Sequence, residues 1–192
     1  MMKLKTLKSV AAIAIAVLSF SFTNDKKVSK NIDTAKSSIF WIGKKITGQH
    51  SGNLSIKEGF LDFENERLIG GTVIVDMKSI VVTDLEGKAK ANLESHLNSE
   101  DFFGVENHET ATLVFSKVTS KNGMYSVSGD FTIKGITKSI EFDMTIDGTI
   151  AKSTLKIDRT LFGIRYGSAS FFDNLKNKAI DNLFELQVTL QL

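Results

Sequence analysis

Residues 125–146 constrain this chain more than any other stretch. Tyr125, Val127, Phe131 and Ile133 share one parity, and Ser126, Ser128, Asp130, Thr132 and Lys134 share the other, as in a strand with one apolar and one wet face. After the turn-like Lys134-Gly135-Ile136-Thr137-Lys138, the alternation resumes with Ile140, Phe142, Met144 and Ile146. A hairpin that is β-branched and aromatic on one side only predicts an antiparallel sheet wrapped around an apolar interior. Whether that interior is packed or hollow is not set by the alternation.

The same pattern marks strands at 38–47, 52–63 with a break at Glu58-Gly59, 68–78, 111–120, 124–134, 137–147, 152–158 and 183–191. The chain has no proline, so glycine and asparagine carry the turns, as at Asn122-Gly123 and Asp147-Gly148, and no edge is blunted by proline. The expected fold is therefore all-β: an extended, closed antiparallel β-barrel of about eight strands, wide enough for packed side chains or one elongated ligand. One short helix is inserted over 86–97, capped by Asp84 or Thr83, with Ala89, Leu93 and Leu97 on one face. Ser99 is placed to cap a further turn. The long segment 159–182 carries Phe162, Tyr166, Phe171 and Phe172, and a long loop in a small β-domain is commonly functional.

At the N-terminus, Lys3, Lys5 and Lys8 precede a 13-residue apolar run, Val10 to Phe22, too short for the roughly 20 residues of a membrane span. Residues 1–23 read as a secretion signal, residues 24–36 as a polar tether or frayed first strand, and residues 37–192 as one barrel domain. The product is expected in the periplasm or outside the cell. Removing those three lysines from 24 basic residues leaves 21 against 22 acidic ones, a net charge of −1, which withdraws support for nucleic-acid binding. There is no cysteine, so neither a disulfide nor a lipoprotein anchor is available.

Six elements in order resemble the YceI-like, polyisoprenoid-binding family: Phe40-Trp41-Ile42-Gly43; Thr47 to Gly52; Gly70 to Ile80; His96-Leu97-Asn98-Ser99-Glu100-Asp101-Phe102-Phe103; Gly129 to Lys138; and Arg159 with Phe162 to Gly167, leading into Phe184 to Leu190. The segment 171–182 is similar to Bacteroidetes-type members. Where that family often has proline, this chain has His108-Glu109 and Ser139, a difference confined to loops. The resemblance implies a lipocalin-like barrel that stores or carries a long isoprenoid such as a polyprenol, polyprenyl phosphate or quinone. It implies no cofactor beyond that lipid, no catalysis and transient membrane contact for exchange, and it is compatible with a homodimer.

The candidate pore lining follows the inward parity: Leu113 and Phe115, Phe131 and Ile133, Phe142 and Met144, Phe184 and Leu186. Trp41 joins them, its indole N–H needing a partner. Phe102, Phe103, Phe162 and Tyr166 are candidates for the mouth. His50 or His96 is placed to hydrogen-bond a headgroup, and Arg159 and Arg165 are the natural partners of a phosphate, with solvated rim charges as the alternative. The lysines at 117, 134, 138, 152 and 156 read as a solubilising outer face. Two other readings stay open: an enzyme using His50 or His96 with Asp101, and a packed scaffold without ligand. No metal site is expected, because the three histidines lack metal-binding spacing.

Overall fold

The computed structural model describes residues 26–192, so the expected secretion signal lies outside them. The strands are β1 (Lys27–Asn31), β2 (Ser38–Lys45), β3 (Gly48–Glu64), β4 (Arg67–Val82), β5 (Thr110–Lys121), β6 (Met124–Ile133), β7 (Ile136–Asp147), β8 (Ile150–Asp158) and β9 (Ile180–Gln191). A single α-helix among the described residues, α1 (Gly87–Asn98), follows β4. Every pairing is antiparallel, and the sheet runs β2-β9-β8-β7-β6-β5-β4 before the β3–β4 ladder closes it back onto β2 through β3. The result is a closed eight-stranded barrel.

β1 lies outside the eight. It pairs with the far half of β3, from Lys27 opposite Glu64 to Asn31 opposite Phe60, where β2 has already left β3 at Leu54. Ile32 is buried immediately afterwards. Of the tether and the first strand expected over 24–36, the structure thus has the strand for residues 27–31.

Near-strict alternation places the core. In β8, Ala151, Ser153, Leu155 and Ile157 are buried while each intervening residue is exposed or half-buried. Leu61, Val82, Val127 and Leu190 are almost wholly excluded from solvent. The break expected at Glu58-Gly59 is instead a register shift between Ile56 and Glu58 within one 17-residue strand, because a bulge bends a long strand without ending it. A larger excursion lies nearby: Asn53 faces Val81 and Ser55 faces Asp76, so Leu54 stands opposite the extra residues 77–80 of β4.

Up-and-down topology gathers the short turns at one end, around Asn65-Glu66, Asn122-Gly123 and Gly148-Thr149. All the long connections, residues 83–109 and 159–179, fall at the other, together with the β2–β3 and β6–β7 turns. The seam between β7 and β8 carries a ladder over only four pairs, Met144 with Ser153 through Asp147 with Ile150. Above them Ser153 Oγ donates to Asp143 O at 2.6 Å. A 3-10 turn, Arg159–Phe162, packs against β7 and β9 there, its Phe162 ring set edge-on to Phe131 at 5.9 Å.

Gly52 is required by close approach. A Cβ on it would sit 1.8 Å from Val81 O and 2.8 Å from the Trp41 ring. Gly52→Ala is therefore expected to lower stability by about 3 kcal/mol, the upper range for overpacking. Gly43→Ala, whose Cβ would meet nothing nearer than 4.0 Å, should leave the urea midpoint unchanged or raise it.

Candidate functional site

A cavity of about 210 Å³ occupies the barrel beneath the long connections. β2 supplies Trp41, Gly43, Lys44 and Lys45 to its wall, β3 supplies His50 and Leu54, and β4 supplies Ile80 from its excursion. Leu93, His96 and Leu97 come from α1, and Phe102 and Phe103 from the turn after it. Arg159 and the start of β9, with Ile180, Asp181, Leu183, Phe184 and Leu186, complete it. The lining is overwhelmingly apolar, with its polar groups few and local, as small-molecule sites are built.

Each wall is fixed by local chemistry. Leu93 and Leu97, one turn apart, put the apolar stripe of α1 over the cavity, whereas Ala89 is exposed. Neither expected cap serves the helix: Glu86 stands at its N-terminus without a side-chain bond. Asp84 is engaged across the sheet, accepting from Ser51 N–H at 3.0 Å and pairing with His50 Nδ1 at 2.9 Å. Ser99 opens the expected further turn through its carbonyl, which accepts from Phe102 N–H at 3.0 Å and Gly104 N–H at 2.8 Å, but its hydroxyl turns back to donate to His96 O at 2.7 Å rather than capping that turn.

Lys134, expected on the solvated outer face, points back over the turn after α1. Its ammonium donates to Glu100 O and, at 3.3 Å, to Phe102 O. That clamp holds Phe102 and Phe103 inward, their rings edge-to-face at 5.4 Å. Trp41 Nε1–H donates to Val81 O at 3.2 Å, which satisfies the indole within the wall.

Arg159 is not a rim charge. It is 2% exposed, and its donors go to three carbonyls: Nε to Asp181 O at 2.9 Å, Nη1 to Ile164 O at 2.8 Å and Nη2 to Ile180 O at 3.1 Å. Burial lowers its pKa, with Asp158 and Asp181 working against that. The guanidinium also lies over the Phe102 ring at 5.6 Å. It therefore ties the loop after β8 to the start of β9 and floors the polar side of the cavity.

Deeper in the barrel the interior is packed. Leu113, Phe115, Phe131, Phe142, Met144 and Leu186 surround a residual void of only about 40 Å³, with Phe115 and Phe142 edge-to-face at 5.7 Å. Leu186 touches both spaces. Of the sequence candidates, Trp41, His50, Phe102, Phe103, Phe184 and Leu186 meet at the main cavity, and the inner set meets at the small void.

Four candidates line neither space. Ile133 is buried in the wall, and Phe162 is spent filling the β7–β8 seam against Phe131. Arg165 is exposed and stacks over Phe171 at 4.6 Å. Tyr166 is exposed, its ring edge on His96 at 4.4 Å. Expectation also missed Leu54, Ile80 and the Ile180 end of β9, because a bulge and an early strand start leave no parity signal.

In architecture this is an up-and-down barrel with a partly enclosed apolar cavity at one end. The chain belongs to the family of YceI-like domains, whose model matches residues 31–192. It is 32% identical over 102 residues to the UPF0312 protein VPA0850 of Vibrio parahaemolyticus, a match covering 52% of this chain and about half, 54%, of that relative. Burkholderia cenocepacia BcnA has a similar fold, at TM-score 0.63 and 19% identity, over 83% of this chain and 98% of BcnA. So has a polyisoprenoid binding domain from Saccharophagus degradans implicated in plant cell wall breakdown, at TM-score 0.57 and 11% identity, over 86% of this chain and 97% of that domain.

Partial burial alone would raise the Asp84 carboxyl, but the Ser51 amide and the His50 ring bind its charged form and hold it below its ordinary 3.8. A carboxyl depressed on folding adds stability above its unfolded pKa and loses it as pH falls through the folded value. Asp84→Asn, which still accepts from Ser51 N–H, should thus cost about 0.5 kcal/mol at pH 7, the scale of a screened ion pair. The gap between variant and parent denaturation midpoints should shrink below about pH 4.

Proposed function

We propose that the barrel binds a long-chain isoprenoid lipid non-covalently and stores or carries it, without catalytic turnover or any further cofactor. The observation that carries this reading is the partly enclosed apolar cavity of about 210 Å³ at one end of the barrel, separated by Leu186 from the small void deeper inside. About 150 Å³ already admits a benzene ring. As it stands the cavity takes a ring or the first isoprene units, and a longer tail threads past Leu186 by turning Phe115 and Phe142 aside. The interior is half hollow, between the open pore and the packed scaffold that the alternation left undecided.

Energetics favour exchange over trapping. At roughly 0.8 kcal/mol per buried CH₂, a chain of about 40 carbons would gross on the order of 30 kcal/mol from water, beyond a practical ceiling near 20. Such a lipid leaves a membrane rather than water, so it passes between two apolar phases and the net driving force is small.

The rim suits that transfer. Ile46, 68% exposed, and Leu161, Phe171 and Phe172 present apolar tips beside Lys44, Lys45, Arg165, Lys176 and Lys178. Ile46 N–H donates to Ala179 O at 3.2 Å, joining the β2–β3 turn to the loop before β9. Exposed apolar groups among cations fit transient docking on an anionic bilayer. The secretion signal expected in residues 1–23 supports exchange in the periplasm or outside the cell, without a nucleic-acid partner, and the reading is compatible with homodimerisation. The enzyme reading finds no comparable support: His50 is engaged with Asp84 rather than Asp101, and Asp101 is exposed.

Native mass spectrometry after incubation with polyprenol-loaded vesicles tests the function. The parent protein should carry one lipid, and Leu186→Trp, which fills the junction of the two spaces, should carry at least tenfold less while staying folded. A parent that emerges empty from both its native envelope and the vesicles would rule the carrier out. Phe171→Ser combined with Phe172→Ser should slow uptake from anionic vesicles about tenfold while leaving the final occupancy unchanged.

A further inference from the structure

Depth along the barrel is written in three cross-strand rows on β2, β9 and β8. Gly43, Phe184 and Ile157 form the row nearest the long connections; Trp41, Leu186 and Leu155 form the next, and Ile39, Val188 and Ser153 the third. Gly43 and Phe184 border the main cavity, whereas Ile39, Val188 and Ser153 border the small void. The middle row divides the two: Trp41 belongs to the first space, Leu155 to the second and Leu186 to both. Gly43 adds no side chain to the upper row, which keeps that level roomy. Leu186 is 8% exposed and has buried residues, Trp41 and Leu155, on either side of it, so it stands as a fixed shelf.

The two sides of the shelf reward an apolar chain unequally. Above it lie about 210 Å³, and since about 150 Å³ admits the six carbons of benzene, that space holds about eight. Each carbon brought there from water raises affinity about fourfold. Below it only about 40 Å³ is free, walled by Phe115 and Phe142 at 5.7 Å from each other. A carbon pushed past Leu186 has to displace packed rings, and overpacking of that kind cancels the gain.

We propose that Leu186 is the specificity-determining residue for chain length. The interior grips about eight carbons at one end of the chain, between one and two isoprene units, and the remainder stays at the rim. Affinity then climbs steeply with length up to that point and flattens beyond it, so long chains that share an end bind alike. This rests on the lipid-binding reading above and adds a length selectivity to it.

The test uses prenyl alcohols of 5, 10, 15 and 20 carbons below their self-association concentrations, and reads binding from the emission of Trp41, the chain's sole tryptophan. The parent should gain on the order of fiftyfold in affinity from C5 to C10 and less than tenfold from C10 to C20. Leu186→Ala joins the void to the cavity and should leave C5 unchanged while tightening C15 at least tenfold. Leu186→Phe raises the shelf and should weaken C10 about tenfold, again sparing C5. Comparing one chain between two proteins cancels that chain's own solubility. Ile133→Val, a change in the wall away from both spaces, should leave the whole profile in place. A parent whose affinity keeps climbing to C20 at its initial rate, or a folded Leu186→Ala with the parent's profile, overturns this inference and leaves the lipid reading standing. Binding of none of the four chains by the parent overturns the lipid reading with it. Should Leu186→Ala fail to fold, the parent profile and Leu186→Phe decide the matter.

Discussion

The ladder between β3 and β4 turns a ribbon of antiparallel strands into a barrel, and the rest of the molecule depends on that closure. It joins the two longest strands, and it is irregular: β3 carries an extra residue at Lys57, β4 one at Ile69, and residues 77–80 of β4 bulge opposite Leu54. The chain has no proline with which to blunt a strand edge. Closure satisfies the backbone of both strands. The same irregularity delivers Leu54 and Ile80 to the cavity wall, where a regular ladder would have continued the tight packing found below.

Closure also separates the two ends of the molecule by task. Short turns finish the packed end, where Phe115, Phe142 and their neighbours fill the interior. At the other end, α1 and the loop after β8 must be held over a space they do not fill. Polar clamps do that work: Lys134 on the carbonyls of Glu100 and Phe102, Asp84 on Ser51 and His50, and Arg159 on three carbonyls of the loop and β9. Directional bonds substitute for the dispersion contacts that an open cavity forfeits. An arginine suits the deepest of these positions, because its planar fork meets several fixed acceptors at once and a lysine ammonium does not.

Such an arrangement leaves the barrel partly filled. A fully packed barrel would be more stable and would bind nothing, whereas an open pore through the whole axis would leave Phe115 and Phe142 without partners. The structure lies between, with a preformed upper space and a floor of rings that meet edge-to-face. Two solved proteins with less than a fifth of their residues in common with this chain have a similar fold, as expected of a fold specified by alternation and closure rather than by particular side chains.

The sequence by itself determined the strands, the helix and their order. Period-two alternation from Tyr125 to Ile146 and its repeats elsewhere are local properties, set by which face each residue turns to water, and they survive without knowledge of partners. The apolar stripe at Leu93 and Leu97 and the six motif elements were legible for the same reason. Tertiary structure alone decided where those faces meet. That Phe162 fills a seam rather than a mouth depends on β7 and β8 parting after four pairs. The burial of Arg159 depends on three carbonyls converging from a loop and a strand 21 residues away, and the opening of a cavity at one end depends on a bulge opposite Leu54. None of these has a signature in spacing, because each is a relation between segments that only closure of the barrel brings together.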